Sequence, residues 1–294
     1  MKISQLLTVL SLIGTQFLPG QVIDVHLHSY TEDDYWGGRP SNYQNLSSPK
    51  SAAELLNKTI AEMDKNNIQY AVVSGSLKSV ARFVKADSRF IPGYMEEDSI
   101  IPILKFEELV KNGEIRVFGE ITGVYFGKTL NDSLYRPYLD VCEKYDIPVA
   151  YHTGGGPSMA VYRGTPKLRI KNGDPLLIED VLVKYPKLRI YLMHGGEMYY
   201  THTLRMMKLF EQLYIDVGVL LWADPMVQDY GTNLLKKAKE YGLLNRIMFG
   251  TDQMVWPGAI SKSIEYLNSL DFLTEREKRM ILYDNAKTFL KIEQ

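Results

Sequence analysis

The 294-residue chain contains one cysteine, three tryptophans and five histidines. A lone cysteine, Cys142, excludes an internal disulfide framework. It falls in a helical pattern and reads as a small core residue. Net charge is also scarce: 34 Lys and Arg against 35 Asp and Glu leave a formal −1. No basic run stands out, so the electrostatic footprint of a nucleic-acid-binding protein is missing. No Ser/Gly-rich linker divides the chain. No GxGxxG follows the first strand-like run, where the turn reads HSYTEDDYWGG, and that removes the usual mark of an open dinucleotide-binding sheet. The rest is ordinary globular composition, 45% hydrophobic and 23% charged. The length suits two average domains or one (β/α)8 barrel, which needs roughly 250 residues.

Residues 1–20 read MKISQLLTVLSLIGTQFLPG. Lys2, the apolar stretch Leu6–Ile13 and Pro19-Gly20 have the form of a secretory signal peptide, too short to span a bilayer. That reading makes residues 21–294 the mature domain of a periplasmic or secreted protein without stable membrane insertion. The other reading is a helix closing the bottom of a barrel in a cytoplasmic protein. Ser4, Thr8, Ser11 and Thr15 share one helical face and favour it.

From residue 21 onward, short β-branched runs alternate with helical patterns. Strands are expected at Val22–His28, Gln69–Ser74, Phe90–Tyr94, Arg116–Ile121, Pro148–His152, Arg189–His194, Tyr214–Val217 and Arg246–Thr251. Helices are expected at Ala53–Lys65, Lys105–Asn112, Arg136–Tyr145, Pro175–Tyr185, Thr203–Leu213, Val227–Tyr241, Ala259–Leu267 and Glu275–Leu290. Alternation of this kind implies a parallel sheet, since parallel strands need crossovers. Eight units without a phosphate-binding loop point to a closed, single (β/α)8 TIM barrel.

A barrel places its chemistry at the C-terminal ends of its strands. Four of the five histidines stand at expected strand ends: His26 and His28 on the first, His152 on the fifth and His194 on the sixth. Glu120 ends the fourth and Asp252 the eighth. His202 falls outside this set and reads as a surface or helix-start histidine. Residues i and i+2 of a strand face one side, so His26 and His28 should face the axis together while Val25 and Leu27 pack outward. Asp24 should then face inward one step deeper, placed to accept a hydrogen bond from a ligand imidazole. Imidazoles and carboxylates in this mixture suit Zn²⁺, with Mn²⁺ or Fe²⁺ as alternatives. The bland reading is a set of hydrogen-bonded core histidines, with Glu120 a salt-bridged barrel carboxylate.

DVHLH on the first strand, Glu120 on the fourth, YHTGGG on the fifth, LMHGG on the sixth and MFGTDQ on the eighth resemble the amidohydrolase superfamily. The closer likeness is to its amidohydrolase-related branch of metal-dependent hydrolases, dicarboxylate lactonases and aminocarboxymuconate-semialdehyde-type decarboxylases. The tail ILYDNAKTFL is similar to the closing helix of that branch, and the likeness runs over residues 22–291. The resemblance implies that His26, His28 and Asp252 hold a first metal. With one ion, His152 would be the next ligand and His194 would orient or deprotonate a water. With two ions, Glu120, where many members carry a carboxylated lysine, would bridge them and His152 and His194 would hold the second. Asp252 would carry the proton from water to leaving group.

The substrate side is thinner. Tyr162 and Arg163 follow strand five, and Arg163 could pair with a substrate carboxylate or simply be solvated. Trp36 after strand one and Trp256 after strand eight could wall a pocket for a planar small molecule, or pack the barrel top. The first functional expectation is therefore a hydrolase of a small ester, lactone or amide. The second is a non-oxidative decarboxylase of an aromatic or unsaturated acid, and the third a non-catalytic binding barrel. A glycosidase pairing Glu120 with Glu197 would leave four axial histidines without a role. The expected partner is a small molecule, not nucleic acid. Assembly into a homo-oligomer is left open by the sequence.

Overall fold

The β-branched runs become eight strands: β1 (Val22–His28), β2 (Ile68–Ser74), β3 (Phe90–Glu96), β4 (Val117–Ile121), β5 (Val149–His152), β6 (Ile190–Met193), β7 (Leu213–Asp216) and β8 (Ile247–Met248). All neighbours pair parallel in the order β1 to β8. β1 meets the segment after β8 through two backbone bonds. Val25 N–H donates to the Phe249 carbonyl at 3.0 Å and Asp252 N–H to the His26 carbonyl at 2.8 Å. The chain is a (β/α)8 barrel. The computed structural model describes residues 20–34, 37–38, 41, 43–96 and 99–293. The signal-like segment, apart from Gly20, and Trp36 lie outside the described residues.

The helices are α1 (Ala52–Lys65), α2 (Leu77–Ala86), α3 (Ile103–Lys111), α4 (Arg136–Lys144), α5 (Glu179–Lys184), α6 (Tyr200–Leu209), α7 (Pro225–Glu240), α8 (Ala259–Ser269), α9 (Glu275–Arg279) and α10 (Asn285–Leu290). Three departures from the sequence expectations have local causes. Helix α2 had no counterpart among them; only Ser79, Val80 and Phe83 are buried on it, too short an apolar stripe to stand out. The stretch from Pro175 begins as a 3₁₀ turn, Pro175–Ile178, capped by the Asp174 carboxylate on Leu176 N–H. The long C-terminal helix is broken by a π turn at Met280–Asp284. No helix among the described residues is long and apolar enough to cross a membrane.

Two apolar layers show which way each strand residue faces. Ile23 and Val25 join Val72, Ile91, Val117, Ala150, Tyr191, Met193 and Met248 inside the barrel, closed below by Phe289 and Leu290 of α10. Val22 and Leu27 belong instead to the layer between sheet and helices. Strict alternation along β1 cannot give both facts. The register resolves them: Asp24 stands opposite Ala71 and Leu27 opposite Val73, three steps against two. β1 carries a bulge at Val25–His26, and both residues turn inward.

The bulge corrects the expectation for two residues. Val25 packs inside the barrel, not outward. Asp24 lies level with Ala71 on the helix side, and its carboxylate touches no imidazole ring. Its Oδ1 accepts the backbone N–H of His26 and of Thr251, each at 3.0 Å, and Oδ2 accepts the Thr251 hydroxyl. Asp24 thus satisfies the donor that the bulge frees and ties β1 to the segment after β8. Burial pushes its carboxyl up to about 7 against the pull of these donors.

Asp24→Ala would strand three buried donors, each costing about 1–3 kcal/mol. We expect a loss of about 3 kcal/mol or more in urea unfolding. A loss under about 1 kcal/mol would mean that the bulge holds without Asp24.

Candidate metal centre

A second bulge places Glu120. Phe118 pairs with Val149 and Ile121 with Tyr151, again three steps against two, and Glu120 turns inward. Gly119 makes this fit, because a Cβ there would stand 2.4 Å from the Ala150 Cβ. His152 follows plain alternation above Ala150. His194 comes one residue after the inward Met193, so alternation would turn it outward. Its left-handed backbone, φ 64°, brings it back to the axis. Asp252, φ 51°, stands past the end of β8.

The structure brings together His26, His28, Glu120, His152, His194 and Asp252, all buried. The Glu120 oxygens divide between two sets of nitrogens. Oε2 lies 3.6 Å from His26 Nε2 and 3.3 Å from His28 Nε2. Asp252 Oδ1 completes that side, 3.7 Å from His26 Nε2 and 3.0 Å from His28 Nε2. Oε1 lies 2.6 Å from His152 Nδ1 and 3.5 Å from His194 Nε2, and these two nitrogens are 3.1 Å apart. Ligand atoms held at about 2.0–2.2 Å by one ion stand roughly 3.0–3.6 Å from each other. His26–His28–Asp252 and His26–Glu120–His194 each keep their ligand atoms within 4.8 Å. The residues therefore fit a divalent ion.

Two further observations support the fit. His26 Nε2 and Asp252 Oδ1 are buried with no hydrogen-bond partner. The electrostatics also call for added positive charge. Burial alone would lower the His26 imidazole, but Asp216 and Asp252 hold it well above its usual value. Burial works the same way on His194, and Glu120 lifts it to about 9. Glu120 is held well below the carboxylate range by its four histidine neighbours, despite its burial. A cluster that draws protons this strongly offers the same electrons to a metal ion.

Asp216, which sequence reasoning did not single out, is the carboxylate on the His26 ring. Its Oδ2 lies 2.9 Å from His26 Nδ1, while Oδ1 accepts His194 N–H at 2.9 Å and Gly218 N–H at 2.8 Å. One carboxylate thus orients the His26 ring and holds the His194 backbone. Its signal was present: an acid at the end of the apolar run LYID, like the acids ending β4 and β8. His194 is set separately, its Nδ1 facing the Gly218 carbonyl at 3.1 Å. Gln253 pairs its side-chain amide with both N–H and C=O of His28, each at 2.9 Å, replacing a strand neighbour.

The expected substrate residues are placed differently from the buried cluster. Tyr162 is 81% exposed and Arg163 is exposed beside it. Trp256 is buried, packed against Trp222 at 5.9 Å in a small apolar group on which Tyr30 rests. Two other aromatics touch the histidines. Tyr30 stacks parallel on His28 at 4.8 Å, and Tyr125 lies against His152 at 4.9 Å. Burial and the nearby carboxylates push both phenols well above their usual value, so they stay protonated donors. His202 lies on α6, paired with Asp174.

The sequence matches the amidohydrolase family over residues 23–292. The chain belongs to the amidohydrolase family. No curated protein matches it by sequence. This amidohydrolase is similar in fold to an uncharacterised TIM-barrel protein from Bordetella bronchiseptica, at 20% identity and TM-score 0.67, over 92% of this chain and 98% of that one. It is also similar to a probable 2-pyrone-4,6-dicarboxylic acid hydrolase from Acinetobacter baumannii with citric acid bound (16%, TM-score 0.61, 92% and 99% of the chains). A third similar structure is a 5-carboxyvanillate decarboxylase from Novosphingobium aromaticivorans, complexed with manganese and a nitrobenzoic acid (13%, TM-score 0.57, 95% and 97%). The family makes the chain an enzyme of this superfamily, and both hydrolases and decarboxylases share its fold.

Proposed function

We propose that this amidohydrolase is a metal-dependent hydrolase of a small ester, lactone or amide. The observation that carries the reading is the division of Glu120 between two nitrogen sets, with Oε2 toward His26 and His28 and Oε1 toward His152 and His194. A carboxylate so placed suits a bridge between two divalent ions, Zn²⁺ first and Mn²⁺ or Fe²⁺ as alternatives. When bound, such ions supply a water acidified to near-neutral pKa and polarise the carbonyl under attack.

The chain's own residues do the rest. Asp252 is held below its ordinary range by His26 and His28 against its burial, so it is an anion at neutral pH. Its unpartnered Oδ1 takes the proton from the attacking water and returns it to the leaving group. His194 Nε2, 3.5 Å from Glu120 Oε1, would be a ligand on the second side, and only with a single ion bound would it be free to stabilise charge developing on the substrate oxygen. Tyr30 and Tyr125 flank the opposite ends of the histidine row and orient a planar substrate with neutral hydroxyls.

A second reading keeps the same metal residues and makes the reaction a non-oxidative decarboxylation of an aromatic acid. The two phenols against His28 and His152 favour it, since they suit a flat ring. The two reactions separate in ¹⁸O-labelled water, with Zn²⁺- or Mn²⁺-loaded protein and a panel of lactones, esters, amides and hydroxybenzoates. Hydrolysis places one ¹⁸O in the product acid. Carbon dioxide release without label in the organic product would overturn the hydrolase reading.

A further inference from the structure

Glu197 has no part in the chemistry above, yet its setting is unusual. It lies in the His194–Tyr199 stretch after β6 with φ 46° and ψ −116°, a backbone conformation that L-residues rarely adopt. Its Oε2 accepts the N–H of Gly155 at 2.5 Å. The glycines after β5 are shaped around it: a Cβ at Gly154 would stand 2.7 Å from Glu197 Cγ, and one at Gly155 2.9 Å from Oε2. The carbonyl of Gly155 in turn lies 3.4 Å from His152 Nε2, on the far side of the ring from Glu120 and His194.

A neutral imidazole has one N–H and one lone pair. If Nε2 carries the hydrogen toward Gly155, the Nδ1 lone pair faces Glu120 and His194. The contact at 3.4 Å is long, so its effect depends on where the Gly155 backbone is held. We propose that Glu197 is a positioning residue, which anchors Gly155 and thereby fixes His152 in the orientation and tautomer that present Nδ1 to the second nitrogen–carboxylate set. The backbone around it has its own supports. Gly154 N–H donates to the Gly173 carbonyl at 2.9 Å, Thr153 Oγ1 to the Met193 carbonyl at 2.6 Å, and Gly196 N–H to Thr153 Oγ1 at 3.0 Å. Removing the carboxylate therefore frees Gly155 and leaves the fold in place.

This inference rests on the two-ion reading only for its first readout. Zn²⁺ is titrated calorimetrically into chelator-stripped wild type, Glu197→Ala, Glu197→Asp and Glu197→Gln. Ala lacks the acceptor, Asp withdraws it by one methylene, and Gln keeps a carbonyl that Gly155 can reach. The second ion is expected to bind about tenfold more weakly in the Ala and Asp variants, with the first unchanged and the Gln variant largely rescued. Equal affinity for both ions in all four proteins overturns the proposal. A wild type that takes up one ion overturns the Glu120 bridge instead, and the decision passes to ¹⁵N NMR of His152 in the Zn²⁺-loaded proteins. A protonated Nε2 in wild type that is lost in the Ala and Asp variants supports Glu197 as the anchor. The same tautomer in every variant overturns it.

Discussion

Asp252→Asn is expected to lower turnover by about three orders of magnitude while leaving the barrel folded, the scale of a lost general acid–base group. The substitution is nearly isosteric, and its backbone bond is untouched: the residue's N–H still donates to the His26 carbonyl at 2.8 Å. What changes is Oδ1, buried without a hydrogen-bond partner and 3.0 Å from His28 Nε2. An amide there can lean on a metal ion through its oxygen but cannot accept a proton from water at any working pH. The loss should therefore fall on kcat, with KM changed little. Metal per chain, measured alongside, separates a missing base from a missing ligand. A variant within tenfold of wild-type kcat at equal metal content would remove Asp252 from the proton path.

Much of the barrel and its site was legible because the physics behind them is local. Parallel strands buried on both faces read as apolar runs, and imidazoles or acids ending such runs are out of place in any other setting. His26, His28, Glu120, His152, His194 and Asp252 could be picked out on that basis. The facing of individual residues was less legible, because it depends on the backbone. A one-residue bulge in β1 reverses the lower half of the strand and moves Val25 in and Asp24 out. A second in β4 turns Glu120 inward. His194 reaches the axis through a left-handed φ, against the alternation of its own strand. Each of these departures sits at a residue of the candidate metal centre or beside one, and strained or bulged backbone clusters at functional sites.

The same reasoning explains why aromatic residues were harder to place than acids. Trp256 and Tyr162 follow strands as the site residues do, but a ring can be satisfied by packing alone. Trp256 is absorbed behind Tyr30, and Tyr162 stands in solvent. A buried carboxylate has fewer ways to be satisfied, so Asp24, Glu120, Asp216 and Asp252 all end on specific donors or on the site.

Asp216→Asn is expected to leave a folded barrel that no longer retains its metal. Asp216 Oδ1 accepts two backbone N–H groups, from His194 and Gly218, and Oδ2 accepts from His26 Nδ1. An asparagine has one oxygen for these two positions. If the oxygen stays with the backbone donors, the amide NH₂ faces His26, and Nδ1 must become an acceptor. The imidazole proton then moves to Nε2, the atom that faces Glu120 and Asp252 with no hydrogen-bond partner of its own. A protonated Nε2 has no lone pair for a metal. Turning the ring over offers no escape, because it would carry Nε2 away from Glu120 and Asp252 and put a ring carbon in its place. The opposite amide orientation keeps the tautomer but strands two buried N–H groups, at about 1–3 kcal/mol each. The first arrangement is therefore favoured, and metal affinity should fall by about 100-fold, at the upper end of what such supporting carboxylates contribute. Metal per chain after dialysis, with a melting curve to show that the fold persists, reads the outcome. Retention equal to wild type would mean that the His26 tautomer is set by something other than Asp216.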